Sequence, residues 1–163
     1  SAGVRSIQQY LFPGIKESFE KIIGKKIINW GDVHPICGRF QYCTSEDPAV
    51  YHCDTQRWGG IIFLTPDAPP ECGTAFLRHK KTKIRTSEDP RISDCFRDLD
   101  MDIDPIKTYH LDSTFFEDVD VVGNVFNRLV LFDGRAIHSG RKYFGNRIEN
   151  SRLFQIFFFD TED

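Results

Sequence analysis

The sequence predicts a mainly β domain, a jelly roll or related sandwich, with one N-terminal helix and a charged insertion. Three observations carry that expectation. Short runs rich in β-branched and aromatic residues recur along the chain, separated by turn signals such as Glu46-Asp47-Pro48, Pro66-Asp67-Ala68-Pro69-Pro70 and Asp133-Gly134. One helical pattern, near the start, precedes the β-like runs. With 163 residues, 40% of them hydrophobic and 15 of them Phe, the chain suits a single domain (1–163) with a substantial core.

The elements follow in order. Phe12-Pro13-Gly14 opens the helix. Phe12, Ile15, Phe19, Ile22 and Ile23 share one face, Pro13 suits the first turn and Gly24 suits the stop, so the helix is expected to pack on a sheet. Strands are predicted near 36–43, 49–54, 60–64, 74–79, 128–133 and 152–159. Many short strands after a single helix are the pattern of a jelly roll. Between 80 and 112 the chain becomes charged and loses the β pattern. Within that stretch 90–99 has the spacing of a short helix, with Ile92, Cys95, Phe96 and Leu99 facing inward. The core is read as about 36–159, and 80–112 as an insertion over one end of the barrel.

Composition narrows the function classes. A net charge of −3 provides no global field for nucleic acid. No apolar run approaches transmembrane length, and Ser1-Ala2-Gly3-Val4-Arg5 is too short and polar for a secretory signal. A start without Met suits a processed terminus, a tag remnant or an excised domain. Five cysteines at irregular spacing point to reduced thiols and a cytoplasmic setting, not to a disulfide scaffold or paired zinc ligands.

The chemistry-bearing feature is His52-Cys53-Asp54 with His138 far downstream. In a strand, residues i and i+2 share a face, so His52 and Asp54 project together and Cys53 points away. Two imidazoles and one carboxylate on one face of a metal form the ligand set of non-haem Fe(II) oxygenases. A second His-x-Asp occurs at His110-Leu111-Asp112. It ends the charged stretch with no strand before it and leaves a shorter gap to His138, whereas His52 and Asp54 lie between two β-like runs. The first pair is therefore the stronger candidate, and a surface loop is the plain reading of the second. His138 follows the apolar run Leu129-Val130-Leu131-Phe132 and precedes Ser139-Gly140, so it can face a cavity without crowding it. Arg152 opens the most apolar strand of the chain. A cation there is costly unless it meets an anion or reaches solvent at the strand end, and its planar fork suits a carboxylate, whether internal or from a ligand.

Other patterns have plainer readings. Arg78, Lys80, Lys81, Lys83 and Arg85 form a basic run that reads as a solvated loop. Asp98, Asp100, Asp102 and Asp104 alternate as in a calcium loop, but Ile103 stands where Gly is required and Tyr109 where the closing Glu belongs.

Taken together, His52-x-Asp54, Trp58-Gly59-Gly60-Ile61-Ile62-Phe63-Leu64, Gly73-Thr74-Ala75-Phe76, His138-Ser139-Gly140 and Arg152 resemble the 2-oxoglutarate- and Fe(II)-dependent oxygenases of the prolyl-hydroxylase-like group. Tyr42 resembles the tyrosine preceding the metal motif in such enzymes, although Arg39-Phe40-Gln41-Tyr42 departs from the usual Arg-Tyr pair. The resemblance implies a double-stranded β-helix in which His52, Asp54 and His138 bind Fe(II). It implies that Arg152, with Arg147 as the alternative, pairs with the distal carboxylate of 2-oxoglutarate, and that Tyr42 and Thr74 contact that co-substrate. The implied activity is a dioxygenase using O2 to couple oxidative decarboxylation of 2-oxoglutarate to hydroxylation or oxidative demethylation. The expected substrate is a small molecule or an exposed side chain, with no membrane as partner; nucleic acid is disfavoured by the charge balance but stays open. The competing expectation is a non-redox, cupin-like jelly-roll module that binds a metal or an anionic ligand.

Overall fold

The computed structural model describes residues 3–31, 34–93 and 113–163. It is mainly β, with two antiparallel sheets and one α-helix among the described residues. The elements are β1 (Val4–Arg5), α1 (Ile15–Ile23), β2 (Phe40–Cys43), β3 (Trp58–Phe63), β4 (Thr74–His79), β5 (Phe116–Val122), β6 (Leu129–Asp133), β7 (His138–Gly140) and β8 (Arg152–Phe159). One sheet has the order β1-β2-β8-β3-β6 and the other β5-β4-β7. An isolated antiparallel bridge between His52 and His138 adds the segment at His52 to the free side of β7.

The apolar character of β8 follows from its place in the middle of the larger sheet, between β2 and β3. Arg152, Phe154, Ile156 and Phe158 alternate onto a cavity between the sheets. Phe157 and Phe159 face the other way and join Phe19, Ile27 and Cys37 in a core beneath α1. Phe19 meets Phe157 edge-on at 5.0 Å, and Trp30 stacks on Phe157 at 5.8 Å. Both faces of the strand are thus covered, so both must be apolar.

The helix starts at Ile15, after Phe12-Pro13-Gly14, and stops at Gly24, whose N–H bonds to Glu20 O at 2.8 Å. Its buried stripe is narrower than the sequence predicts. Phe19, Ile15 and Ile23 pack inward, while Phe12 and Ile22 are 51% and 65% exposed. A helix of nine residues lies against the sheet along little more than two turns, which leaves the outermost apolar residues in water.

Strands 74–79 and 152–159 have the predicted bounds. The predicted strand 36–43 is confined to Phe40–Cys43, because residues 35–38 form turns. The predicted strand 49–54 shrinks to bridge residues at Tyr51 and His52. Of the predicted insertion, residues 80–93 are described. They turn tightly at Lys83, with φ 63, and run back beside 135–137 through bonds from Ile137 N to Arg85 O and from Ser87 N to Arg135 O. The remainder of the insertion, with the expected helix at 90–99 beyond Ser93, lies outside the described residues, as do His110-Leu111-Asp112 and the alternating aspartates. The basic run has partners: Arg78 and Lys83 both bond Glu117 on β5, and Lys80 bonds Thr114 O. No helix among the described residues is long and apolar enough to cross a membrane.

Candidate functional site

The backbone brings His52 and His138 together directly. His52 N bonds His138 O at 3.1 Å, and His138 N bonds His52 O at 2.9 Å. Asp54 N then bonds Gly134 O at 2.7 Å, which draws the carboxylate to the same place. This approach requires a glycine. A Cβ on Gly134 would stand 2.6 Å from Gln56 O and 3.2 Å from Asp54 Cβ. Cys53 points the other way, against the cluster of Ala75, Leu77 and Ile137, as strand alternation predicts.

The side-chain geometry is that of a ligand set. One ligand atom from each of His52, Asp54 and His138 lies within 4.8 Å of the others. Nδ1 of His52 stands 3.0 Å from Val50 O, and Nδ1 of His138 stands 2.9 Å from Ala136 O. A carbonyl accepts only, so each Nδ1 carries the proton and each neutral ring turns its Nε2 lone pair inward. Those nitrogens stand 3.5 Å from Asp54 Oδ1 and Oδ2, respectively. Asp54 Oδ2 is buried and has no hydrogen-bond partner. Three acceptors therefore converge in a buried space with no donor among them, a costly arrangement that a cation relieves.

The ionisation behaviour agrees. Burial pushes His138 down to about 4, so its lone pair stays free. Burial also lowers His52, but the contact with Asp54 outweighs it and the net shift is upward. Burial raises Asp54, and the two histidines more than reverse this, holding the carboxyl below its usual range. The residues present suit a divalent ion with N and O ligands.

A cavity of about 400 Å³ opens beside these three residues and takes its walls from both sheets. Arg152 lines it and is 2% exposed. Its Nε donates to Cys72 O at 3.1 Å, and its Nη2 stands 3.4 Å from both Gly73 O and Thr74 Oγ1. Its guanidinium lies 4.4 Å from the centroid of Phe154 and 5.5 Å from that of Tyr143. Among the described residues no carboxylate pairs with it, and burial lowers its pKa. A second hollow, between α1 and the residues at 162–163, is open and lined by charged side chains, and no cluster of metal ligands lies there among the described residues.

The structure thus brings together His52, Asp54, His138, Thr74 and Arg152. It does not bring Tyr42 or Arg147 to them. On β2, Gln41 lines the cavity and Cys43 is buried beside it, and strand alternation sends Tyr42 to the opposite face. Arg147 is exposed, beside Glu149 at 3.9 Å. Tyr143 is the tyrosine that lines the cavity among the described residues. Its ring packs over Gly140, where a Cβ would stand 2.6 Å from it, and burial pushes its phenol up to about 12. Tyr143, Arg5, His34 and Gln41 also line the cavity and stand in no motif of the sequence. The only signal for Tyr143 was an aromatic a few residues beyond the His138-Ser139-Gly140 motif.

Fold and site together define a two-sheet, mainly β protein with a His-Asp-His cluster in the cavity between its sheets. The chain belongs to the DUF6445 family, a family of unknown function, which matches residues 43–150. All three candidate ligands fall within that segment. No curated protein and no solved structure matches the chain.

Proposed function

We propose that the chain is a 2-oxoglutarate- and Fe(II)-dependent dioxygenase with a double-stranded β-helix fold. The strand order supports the fold. Counting β2, the segment at His52, β3, β4, β5, β6, β7 and β8 as eight successive strands, the larger sheet reads 1-8-3-6, with β1 added at its edge. The smaller reads 2-7-4-5. That is the order of a jelly roll.

The observation that carries the activity is Arg152, a fully buried guanidinium with no acid partner among the described residues, in the same cavity as the three ligand residues. A buried cation of this kind needs an anion, and its fork geometry selects a carboxylate. A metal alone gives no reason for it, whereas a keto acid that chelates the metal and extends a second carboxylate does.

In this reading His52, Asp54 and His138 hold the ion, with both imidazoles fixed in orientation by Val50 O and Ala136 O. Arg152 anchors the distal carboxylate, and Thr74 Oγ1 steadies the guanidinium. Tyr143, protonated at neutral pH, keeps a hydroxyl donor in the cavity. Phe132 and Phe154 exclude water from the interior. Bound Fe(II) with 2-oxoglutarate supplies the oxidising chemistry, in which O2 yields succinate, CO2 and a substrate carrying one oxygen atom, by hydroxylation or as the first step of oxidative demethylation.

The test is spectroscopic. Fe(II) and 2-oxoglutarate added without oxygen are expected to give a visible metal-to-ligand charge-transfer band. His138→Ala abolishes it, and Arg152→Ala weakens 2-oxoglutarate at least about tenfold while sparing the metal. Folded protein that binds Fe(II) but gives no band and releases no succinate in air is the cupin-like binding module instead.

A further inference from the structure

The hydrogen bonds that hold the Arg152 guanidinium all go to one short segment. Nε meets Cys72 O, and Nη2 meets Gly73 O and Thr74 Oγ1. Among the described residues Nη1 meets no acceptor, which leaves that side of the fork for a ligand. Where residues 72–74 sit therefore decides where the anchor points.

That segment is placed by the turn after β5. Gly73 passes so close to it that a Cβ would stand 1.8 Å from Val122 O and 2.9 Å from Asn124 N. Asn124 ties the two together. Its main-chain N–H donates to Pro70 O at 3.0 Å, and its Nδ2 donates to Cys72 O at 3.3 Å. Cys72 O thus accepts from Asn124 and from Arg152, one bond for each lone pair. Asn124 is 1% exposed, and its Oδ1 is buried without a partner. An unmet buried acceptor is a cost that the turn itself does not demand, because the main-chain bond to Pro70 is open to any residue with an N–H. What the side chain adds is one bond, to the carbonyl that carries Arg152.

We propose that Asn124 is a positioning residue for the co-substrate: by holding Cys72 O it aims the Arg152 fork, and so sets the preference for a keto acid with a second carboxylate over one without. This rests on the oxygenase reading, since it assigns the distal carboxylate of 2-oxoglutarate to Arg152. Asn124 is not among the residues that line the cavity, so its effect reaches the ligand through Arg152. Pyruvate separates the two ends of the co-substrate. It offers a metal the same keto acid group and has no second carboxylate for Arg152 to read.

The experiment titrates Fe(II)-loaded protein with 2-oxoglutarate and with pyruvate in the absence of oxygen, following the charge-transfer band. Asn124→Leu keeps the branched shape while removing both the donor and the unmet oxygen, and Asn124→Ala is the second variant. Each is expected to weaken 2-oxoglutarate about fivefold, with pyruvate and Fe(II) affinity unchanged and the band restored at saturating 2-oxoglutarate. A merely structural role weakens both keto acids alike, and that result overturns the inference, as does an unchanged ratio between them. NMR of the unaltered Zn(II)-loaded protein gives a reading that needs no variant. There 2-oxoglutarate is expected to move the Asn124 Nδ2–H and Arg152 Nε–H signals together, and pyruvate to leave both in place. An Asn124 signal that stays still while that of Arg152 moves also overturns the inference. Unaltered protein that gives no band with 2-oxoglutarate sinks the oxygenase reading and this inference with it. A normal band with an unchanged ratio in the variants sinks the role of Asn124 alone.

Discussion

Because Nδ1 of each histidine donates to a main-chain carbonyl, its Nε2 is the atom left to meet either a proton or a metal. His52, with its pKa raised, holds the competing proton. Metal affinity is therefore expected to weaken as pH falls through that raised value, by about tenfold per pH unit, because one proton must leave for each ion that enters. Co(II) titrations across the range from about pH 8 to about pH 5 check this, and a flat profile contradicts it. The ion-free fold has the opposite dependence on His52. Its raised pKa contributes stability fully below the unfolded value, and this is lost as pH rises through the folded value. The depressed Asp54 carboxyl contributes above its usual pKa and loses this as pH falls through the folded value. Arg152 yields a second expectation. Replacing a buried charge that has no acid partner among the described residues by an apolar side chain of similar length removes its desolvation cost and also its bonds to Cys72, Gly73 and Thr74. Arg152→Met is thus expected to unfold within about 1 kcal/mol of the unaltered protein while losing 2-oxoglutarate binding. Urea denaturation and co-substrate titration separate the two effects.

At the level of elements, the outer face of β8 and the helix form a unit apart from the cavity. Phe19 is 3% exposed and meets both Phe157 and Phe159. Phe19→Ala is expected to cost about 3–5 kcal/mol, measured by thermal or chemical unfolding, with metal affinity retained in the folded fraction because the ligands lie across the sheet. The elements differ in how far the sequence reveals them. Strands 74–79 and 152–159 are legible because each is bounded by turn residues and filled with apolar side chains. β5 is not, since Glu117, Asp118 and Asp120 break up its apolar pattern. It is an edge strand with several exposed residues, and the charges that obscure it also blunt an open edge. β1 is two residues long and exists through its pairing with Gln41 and Tyr42, so no local pattern could announce it. The same logic explains the candidate site. His52, Asp54, His138 and Arg152 stand in motifs that local spacing and strand chemistry expose. Arg5 and His34 reach the cavity through long-range pairing and stacking alone.

Across the whole molecule, the cavity lies where the two sheets face each other, so anything bound there joins both. Metal and co-substrate together are expected to raise the unfolding temperature. Each ligand at about a hundred times its dissociation constant contributes about 2.7 kcal/mol, readable by differential scanning fluorimetry. No such shift with Arg152→Ala and 2-oxoglutarate alone would assign the gain to that anchor. The place of β8 has a further consequence, for the route by which the chain folds. Its neighbours on either side, β2 and β3, precede it by most of the length of the chain. Neither can complete its pairing until the segment carrying Phe154, Ile156, Phe157 and Phe159 has travelled back to lie between them. Closing so long a loop before its contacts form is slow, and until then the most apolar stretch of the protein waits unpaired, where association with another chain competes with folding.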